Sequence, residues 1–349
     1  MNRSKIKAWL VLLHLLAAAW PDGALRAQEP FFKGKQIRIV VGLSTGGGYD
    51  RAARLLSRYL GKYIPGNPDF AVQNMPGAGS VTAANYAWGV AKPDGLTLLA
   101  PHNNFYLAQL SGQKEVRFDL TKFQWIGSLE NDDMIMFTRA DAPFKSVADI
   151  IRAKELPKCG STGVGSSDYV LSKILDETIG MKVAHVPGYP GSSEIALAME
   201  RGEVACMGLT IATYHGREPF LGWLKTKFVR FLVQSGHKRS PRIPDAPTLF
   251  ELMDEYKTPA TKRRVAEAML QGGEWARPLL APPATPADRV KILRDGYERA
   301  SRDPELLAEA KKLSIEVAPL RGEQLQKTAV DIIKQPAEVS EQIKRMFVQ

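Results

Sequence analysis

The sequence predicts a two-lobed α/β protein, each lobe a mainly parallel sheet flanked by helices, with a ligand cleft between the lobes. Three observations predict it. Strand–loop–helix units recur in two separate series, the connecting loops are rich in glycine and serine, and an extended stretch at about residues 123–141 divides the series. The 349 residues suffice for roughly two domains. The expected division is a leader over 1–27, lobe one over 28–129 with 236–349, and lobe two over 130–235.

The first element is not part of the fold. Arg3, Lys5 and Lys7 precede an apolar stretch from Ala8 to Trp20, which Pro21, Asp22 and Gly23 break before Ala24–Ala27. That order is the signature of a secretory signal peptide, here cleaved near Ala27. The stretch falls short of the ~20 residues a membrane span needs. The mature chain is therefore expected to be soluble and exported.

Lobe one opens on a β-branched strand, Lys35–Gly42, a loop Ser44–Tyr49, and a helix with apolar Ala52, Ala53, Leu55, Leu56, Tyr59 and Leu60 at i, i+3, i+4 spacing. Asp50 sits in its first turn, where the helix dipole favours an acid. Phe70–Gln73, the loop Asn74–Ser80 and the helix Val81–Val90 repeat the unit, and Leu96–Ala100 leads as a strand to His102, Asn103 and Asn104.

Lobe two follows the same pattern. Pro157–Gly160 is a strand, Ser161–Ser167 a loop and Asp168–Ile179 a helix; Lys182–Val186, Pro187–Ser193 and Glu194–Arg201 repeat it, and Val204–Met207 closes the set. Arg230–Val233 reads as a strand returning to the first lobe. The proline- and charge-rich stretch 238–286 is expected to wrap the surface. Helices at Asp288–Arg302, Pro304–Leu313 and about Gly322–Lys334 end the chain, the second capped by Asp303-Pro304.

Four Gly/Ser-rich loops thus lie between a strand and a helix, two per lobe: Ser44–Tyr49, Asn74–Ser80, Ser161–Ser167 and Tyr189–Ser193. Glycine permits close backbone approach, and each following helix presents free N–H groups and a positive dipole end, which together suit an anion. Rival motifs are absent from the sequence. It holds no G-x-x-x-x-G-K-[ST] and no G-x-G-x-x-G, and His102, His185, His215 and His237 show no metal-ligand spacing. No nucleophile–base pair points to catalysis; an exported enzyme acting on a carboxylate would have to use His102 or Asp50 as its base.

The motifs carry a resemblance. Ile39-Val40-Val41 with Thr45–Asp50, Gln73–Ser80, Ala91–Gly95, Ser161–Ser166, Val186–Ser193, Arg239-Ser240-Pro241 with Ile243–Thr248, and Leu280–Pro286 occur in one order from about Lys35 to Gln335. In this the chain resembles the Bug (TctC-like) solute-binding receptors of tripartite tricarboxylate transporters. The resemblance implies a periplasmic binding protein of type II-like architecture, monomeric, without catalytic residues, metal or cofactor. It would close on a small organic carboxylate and deliver it to a membrane transporter of one large and one small subunit. An exported ligand sensor is the alternative reading.

By match, the ligand would be held by Ser44, Thr45, Gly46, Gly47 and Tyr49 of the first loop, and by Gly77, Ala78, Gly79 and Ser80 of the second. Thr162, Gly163, Gly165 and Ser166, then Tyr189, Gly191 and Ser192, would complete the set, with His102 and Asn103 joining from the third strand. The chain departs from the family pattern where Gly42-Leu43-Ser44 replaces Pro-Phe-Pro, where Ser80 stands in place of a frequent glycine, and where extra residues fall at about 259–273.

Cys159 and Cys206 end strands expected to be neighbours in an oxidising compartment, leaving two readings: a disulfide, or two buried small side chains. Tyr49, Tyr169 and Tyr189 flank the loops and suit either stacking on a flat ligand or packing at helix starts. The formal net charge is +10. The leader holds four cations (Arg3, Lys5, Lys7, Arg26) and one anion (Asp22), so its removal leaves +7. Residues 225–264 carry ten cations against four anions, whereas the four loops contain no Lys or Arg. A basic balance concentrated there is no nucleic-acid signature, and the ligand's charge would be met by backbone N–H groups, hydroxyls and helix ends.

Overall fold

The computed structural model describes residues 29–130, 133–163 and 166–347. The expected signal peptide and Gly165 lie outside the described residues. In chain order the elements are β1 (Gln36–Val41), α1 (Gly48–Leu60), β2 (Asp69–Asn74), α2 (Val81–Gly89), β3 (Thr97–Ala100), α3 (Tyr106–Leu110), β4 (Gln124–Glu130) and β5 (Met134–Arg139). There follow α4 (Val147–Arg152), β6 (Lys158–Gly160), α5 (Ser167–Ile179), β7 (Ala184–Val186), α6 (Ser192–Glu200), β8 (Cys206–Thr210), α7 (Ile211–Gly216), α8 (Phe220–Thr226) and β9 (Val229–Gln234). The last are α9 (Leu249–Glu255), α10 (Ala260–Leu270), β10 (Ala276–Ala281), α11 (Ala287–Ala300), α12 (Pro304–Lys312), β11 (Leu320–Arg321), α13 (Gly322–Ile333) and α14 (Ala337–Phe347).

Two sheets result, ordered β11-β4-β10-β3-β1-β2 and β7-β6-β8-β5-β9. Both are mixed rather than mainly parallel. The strand–loop–helix units make the parallel halves, β1 with β2 and β3, and β6 with β7 and β8. Strands supplied by the crossovers and the C-terminal region enter from the other end and pair antiparallel: β10 with β3 and β4, β11 with β4, and β5 with β8 and β9. The stretch Arg230–Val233 accordingly lies in β9, at the edge of the second sheet, and not in the first.

The largest correction concerns residues 238–286. They do not simply wrap the surface, because β10 lies in the interior of the first sheet with all six residues buried. Its sequence, Ala-Arg-Pro-Leu-Leu-Ala, argues against a central strand, since proline cannot donate to a ladder and an arginine is rarely buried. The chain accommodates both locally. Arg277 takes a left-handed φ of 66°, and the register shifts between Leu279 and Leu280.

The core supports each sheet on its helices. The apolar stripe of α1, including Ala52, Leu55, Leu56 and Leu60, packs with Ile37, Ile39 and Val41 of β1. In the second lobe Ile195 and Met199 of α6 pack with Met207 and Phe137. A third cluster joins Phe105, Trp125 and Trp275 to Val170 and Ile174 of α5, and includes Met269 and Phe347. The extra residues at about 259–273 therefore form α10 and a following 3-10 turn. They brace α5 through Thr258 Oγ1 on the Thr178 carbonyl (2.9 Å) and Lys262 Nζ on the Glu177 carbonyl (2.7 Å). Among the described residues no helix is long and apolar enough to cross a membrane.

Two departures from the family pattern explain each other. Ser80 has φ 80°, a region where glycine is favoured, and its hydroxyl donates to the Gly42 carbonyl (3.1 Å) while accepting the His102 N–H (2.9 Å). A Cβ on Gly42 would overlap that hydroxyl and come within 2.5 Å of Ser80 Cβ. Gly42 and Ser80 thus share one volume. Gly42→Ala should cost about 1–3 kcal/mol by overpacking. In a Ser80→Gly background the same change should cost at least about 1 kcal/mol less, as read from denaturant unfolding of all four proteins in the cycle. Additive effects would refute the coupling.

Candidate functional site

The carboxyl ends of the parallel strands of both sheets face one another across a cavity of about 50 Å³. The lobes touch there. Ser44 N–H donates to the Pro190 carbonyl (3.4 Å), Ser44 Oγ donates to Glu194 Oε2 (3.3 Å), and Arg51 Nη1 donates to the Gly216 carbonyl (2.7 Å).

From the first loop Ser44, Gly47 and Tyr49 line the cavity; from the third, Thr162 and Ser166; from the fourth, Gly191 and Ser192; and His102 reaches it from beyond β3. Four helices, α1, α5, α6 and the short α7, begin at this wall. The N-caps of the first three, Gly47, Ser166 and Gly191, make no side-chain capping bond, in contrast to Thr210 of α7 and to Ser146, Thr248 and Asp303 elsewhere.

The other matched positions stand around the cavity rather than on its wall. Thr45 bonds to Asn74 Oδ1 (3.1 Å), and the Gly46 N–H donates to Asp50 Oδ2 (2.8 Å). Gly77 and Ala78 are exposed, and Ser80 is held by Gly42 and His102. Gly163, with φ 128°, meets the second loop instead, since a Cβ there would lie 3.4 Å from Gly79 N. Asn103 is committed behind the wall: its Oδ1 accepts from Tyr49 OH (2.8 Å), its N–H donates to the same oxygen (3.0 Å), and its Nδ2 donates to the Gly272 carbonyl (2.8 Å). Tyr189 packs against the second-lobe core, and Tyr169 stacks on Phe347 at 5.6 Å.

Neither residue that a catalytic reading would need is a base. Burial, with Arg277 nearby, holds the His102 imidazole down at about pKa 3. Its Nδ1 accepts the Asn104 N–H (3.1 Å), so the neutral ring carries its proton on Nε2, as a donor. For Asp50, burial raises the carboxyl, but bonds from Arg54, the Gly46 N–H and Asn74 more than offset it and hold it below its ordinary range. Among the described residues no His/Cys/Asp/Glu group is disposed to hold a metal ion.

The structure adds residues outside the four loops. The wall is completed by Gly48, Ser167 and Asp168, and by Gly208, Leu209, Thr210 and Thr213 from the end of β8. Behind it lies Arg277 of β10, buried, its guanidinium 4.2 Å from the centre of the Tyr49 ring and 2.8 Å from Thr213 Oγ1. Its Nη2 is 3.4 Å from Glu130 Oε2. Burial pushes the Tyr49 hydroxyl up to about 12, despite the opposing effect of Arg277. Arg217 donates to Ser192 Oγ (2.6 Å) and Ser193 Oγ (3.2 Å), and burial, reinforced by Arg51, lowers it to about 10. The cations nearest the cleft thus come from outside the basic stretch 225–264, where Arg239, Lys262 and Arg263 are paired with Glu251, Glu177 and Asp254.

Cys159 and Cys206 stand opposite each other on β6 and β8 and are joined by a disulfide, Cα–Cα 4.5 Å. Each precedes a segment of the wall.

Comparison with known proteins places this architecture. A family model described as tripartite tricarboxylate transporter family receptor matches residues 66–344. A UPF0065 protein in the gbd 5′ region of Cupriavidus necator is 28% identical over 323 residues, covering 91% of this chain and 90% of that protein. The periplasmic binding protein BugD superposes with a TM-score of 0.72 at 22% identity, over 91% of this chain and 99% of BugD. MatC (Rpa3494) of Rhodopseudomonas palustris with bound malate gives 0.67 at 22%, over 90% and 100%.

Proposed function

The chain belongs to the tripartite tricarboxylate transporter receptor family, and on that premise we propose that it captures a small organic carboxylate in the interlobe cavity, in the periplasm. The observation that carries this reading is the convergence of α1 and α6, whose N-caps Gly47 and Gly191 leave the first-turn N–H groups without a side-chain partner, on one small space rimmed by Ser44 and Ser192. Such helix starts attract carboxylates and phosphates alike. A cavity of about 50 Å³ suits a small anion and leaves no room for a nucleotide-sized phosphate ester. Malate bound to the structurally similar MatC supports the same class. The receptor works as a monomer and passes its ligand to a large and a small membrane subunit.

The closed lobes leave little freedom at Gly191, where a Cβ would overlap Ser44 Oγ and come within 3.2 Å of Glu194 Oε2. Its φ of −170° is open to any residue, so Gly191→Val should fold normally and hold the lobes apart. With a panel of mono-, di- and tricarboxylates, at least one member at 100 times its dissociation constant should stabilise the native chain by about 2.7 kcal/mol. It should stabilise Gly191→Val far less. A panel in which no carboxylate raises the unfolding midpoint, with none found by native mass spectrometry of the purified protein, overturns the reading.

A further inference from the structure

The wall of the cavity is not chemically uniform. Toward the first sheet it offers donors: the start of α1 at Gly47 and Gly48 and the His102 Nε2–H, with the Arg277 cation behind Tyr49. Toward the second sheet it holds an acid. Asp168, at the second position of α5, is 2% exposed, and its Oδ2 is buried with no hydrogen-bond partner. Gly208 pins the residue, since a Cβ there would come within 2.5 Å of Asp168 Cα and 2.7 Å of its nitrogen. The neighbouring Thr162 Oγ1 is likewise buried without a partner.

Resting on the carboxylate reading above, we propose that the ligand is an amino acid: its carboxylate meets the donors of the first lobe, and its protonated amine pairs with Asp168. A buried carboxyl left unpaired is costly, and a ligand ammonium removes that cost, whereas a second ligand carboxylate at the same place increases it.

The charged and titratable groups around Asp168 do not do this work. Arg277 and Glu130 lie behind Tyr49 and Thr213, and Arg217 and Glu194 flank Ser192 and Ser44. His102 is neutral, and His185 of β7 contacts Ser172, one turn further along α5 (2.9 Å). Burial alone, tempered by the Ser166 hydroxyl and the local N–H groups, pushes Asp168 up to about 7.

The experiment is calorimetric titration with matched carboxylates of two to six carbons, each as the unsubstituted, 2-hydroxy and 2-amino member. On the native chain the amino member of the best-bound length should bind at least about ten-fold tighter than the other two. Asp168→Asn should remove that preference. Independently of any variant, the affinity of the amino member should fall roughly ten- to thirty-fold from about pH 8.5 to about pH 5.5, as Asp168 takes up a proton. Carboxylates that bind without amino preference, or a best ligand that tightens as pH falls, overturn the assignment and leave the carboxylate reading standing. Failure of every carboxylate overturns both.

Discussion

Arg277→Met should destabilise the native protein by about 3–5 kcal/mol and abolish tight ligand binding. The guanidinium is buried, so the substitution removes the cation 3.4 Å from Glu130 Oε2 while that carboxylate stays buried. It also removes the donor to Thr213 Oγ1 and the charge over the Tyr49 ring. Arg277 belongs to the first sheet and Thr213 to the segment after β8 of the second, so this bond joins the lobes at the cavity wall. Its left-handed φ of 66° adds strain that an arginine would not ordinarily hold within a strand. A strained, buried, charged residue beside a cavity points to function rather than stability.

The double variant Arg277→Met, Glu130→Leu separates the two effects. Removing both charges should restore most of the lost stability, because no unpaired buried ion remains, while ligand affinity stays low. Denaturant midpoints and titration with the best carboxylate would measure both. If Arg277→Met alone costs less than about 1 kcal/mol, the buried Arg277–Glu130 pair does not support the first sheet in this way.

What the sequence made legible follows from the range of the signals. The units β1–α1, β2–α2, β6–α5 and β7–α6 appear at their expected places because each rests on periodicity within about fifteen residues and on glycine at the turn. The first, third and fourth loops reach the cavity for the same reason, since a parallel strand followed by a helix puts its loop at one edge of the sheet. The second loop has the same local pattern, yet Ala78 and Gly79 meet Gly163 of the third loop instead, which depends on how the lobes close.

Residues defined by long-range pairing were the ones hidden. β10 lies between strands formed more than 140 residues earlier, and its Arg277 and Pro278 read locally as surface. Asp168 was hidden differently. An acid in the first turn of a helix is ordinary, and only the close packing of Gly208 and the lack of a partner for Oδ2 distinguish it.

Replacing both Cys159 and Cys206 by alanine should lower stability by about 4 kcal/mol, the chain-entropy value for a cross-link spanning this many residues. The two cysteines are separated by 47 positions, are fully buried, and join neighbouring parallel strands. Released, the unfolded chain regains the freedom of that loop, whereas the native strands stay paired through β6–β7 and β8–β5. The loss should therefore appear in equilibrium unfolding more than in the folded structure. A reductant added to the native protein should do little, because neither sulfur is reachable without opening the lobe. β6 runs into Ser161 and Thr162, and β8 carries Gly208 and runs on toward Thr213, so the cross-link also ties two walls of the cavity together. The paired variant should accordingly bind ligand somewhat more weakly while keeping the native preference among ligands, because every contacting group remains. Equal stability of the variant and the parent, measured without reductant, would mean that packing of Ile195, Met199 and Met207 alone holds these strands.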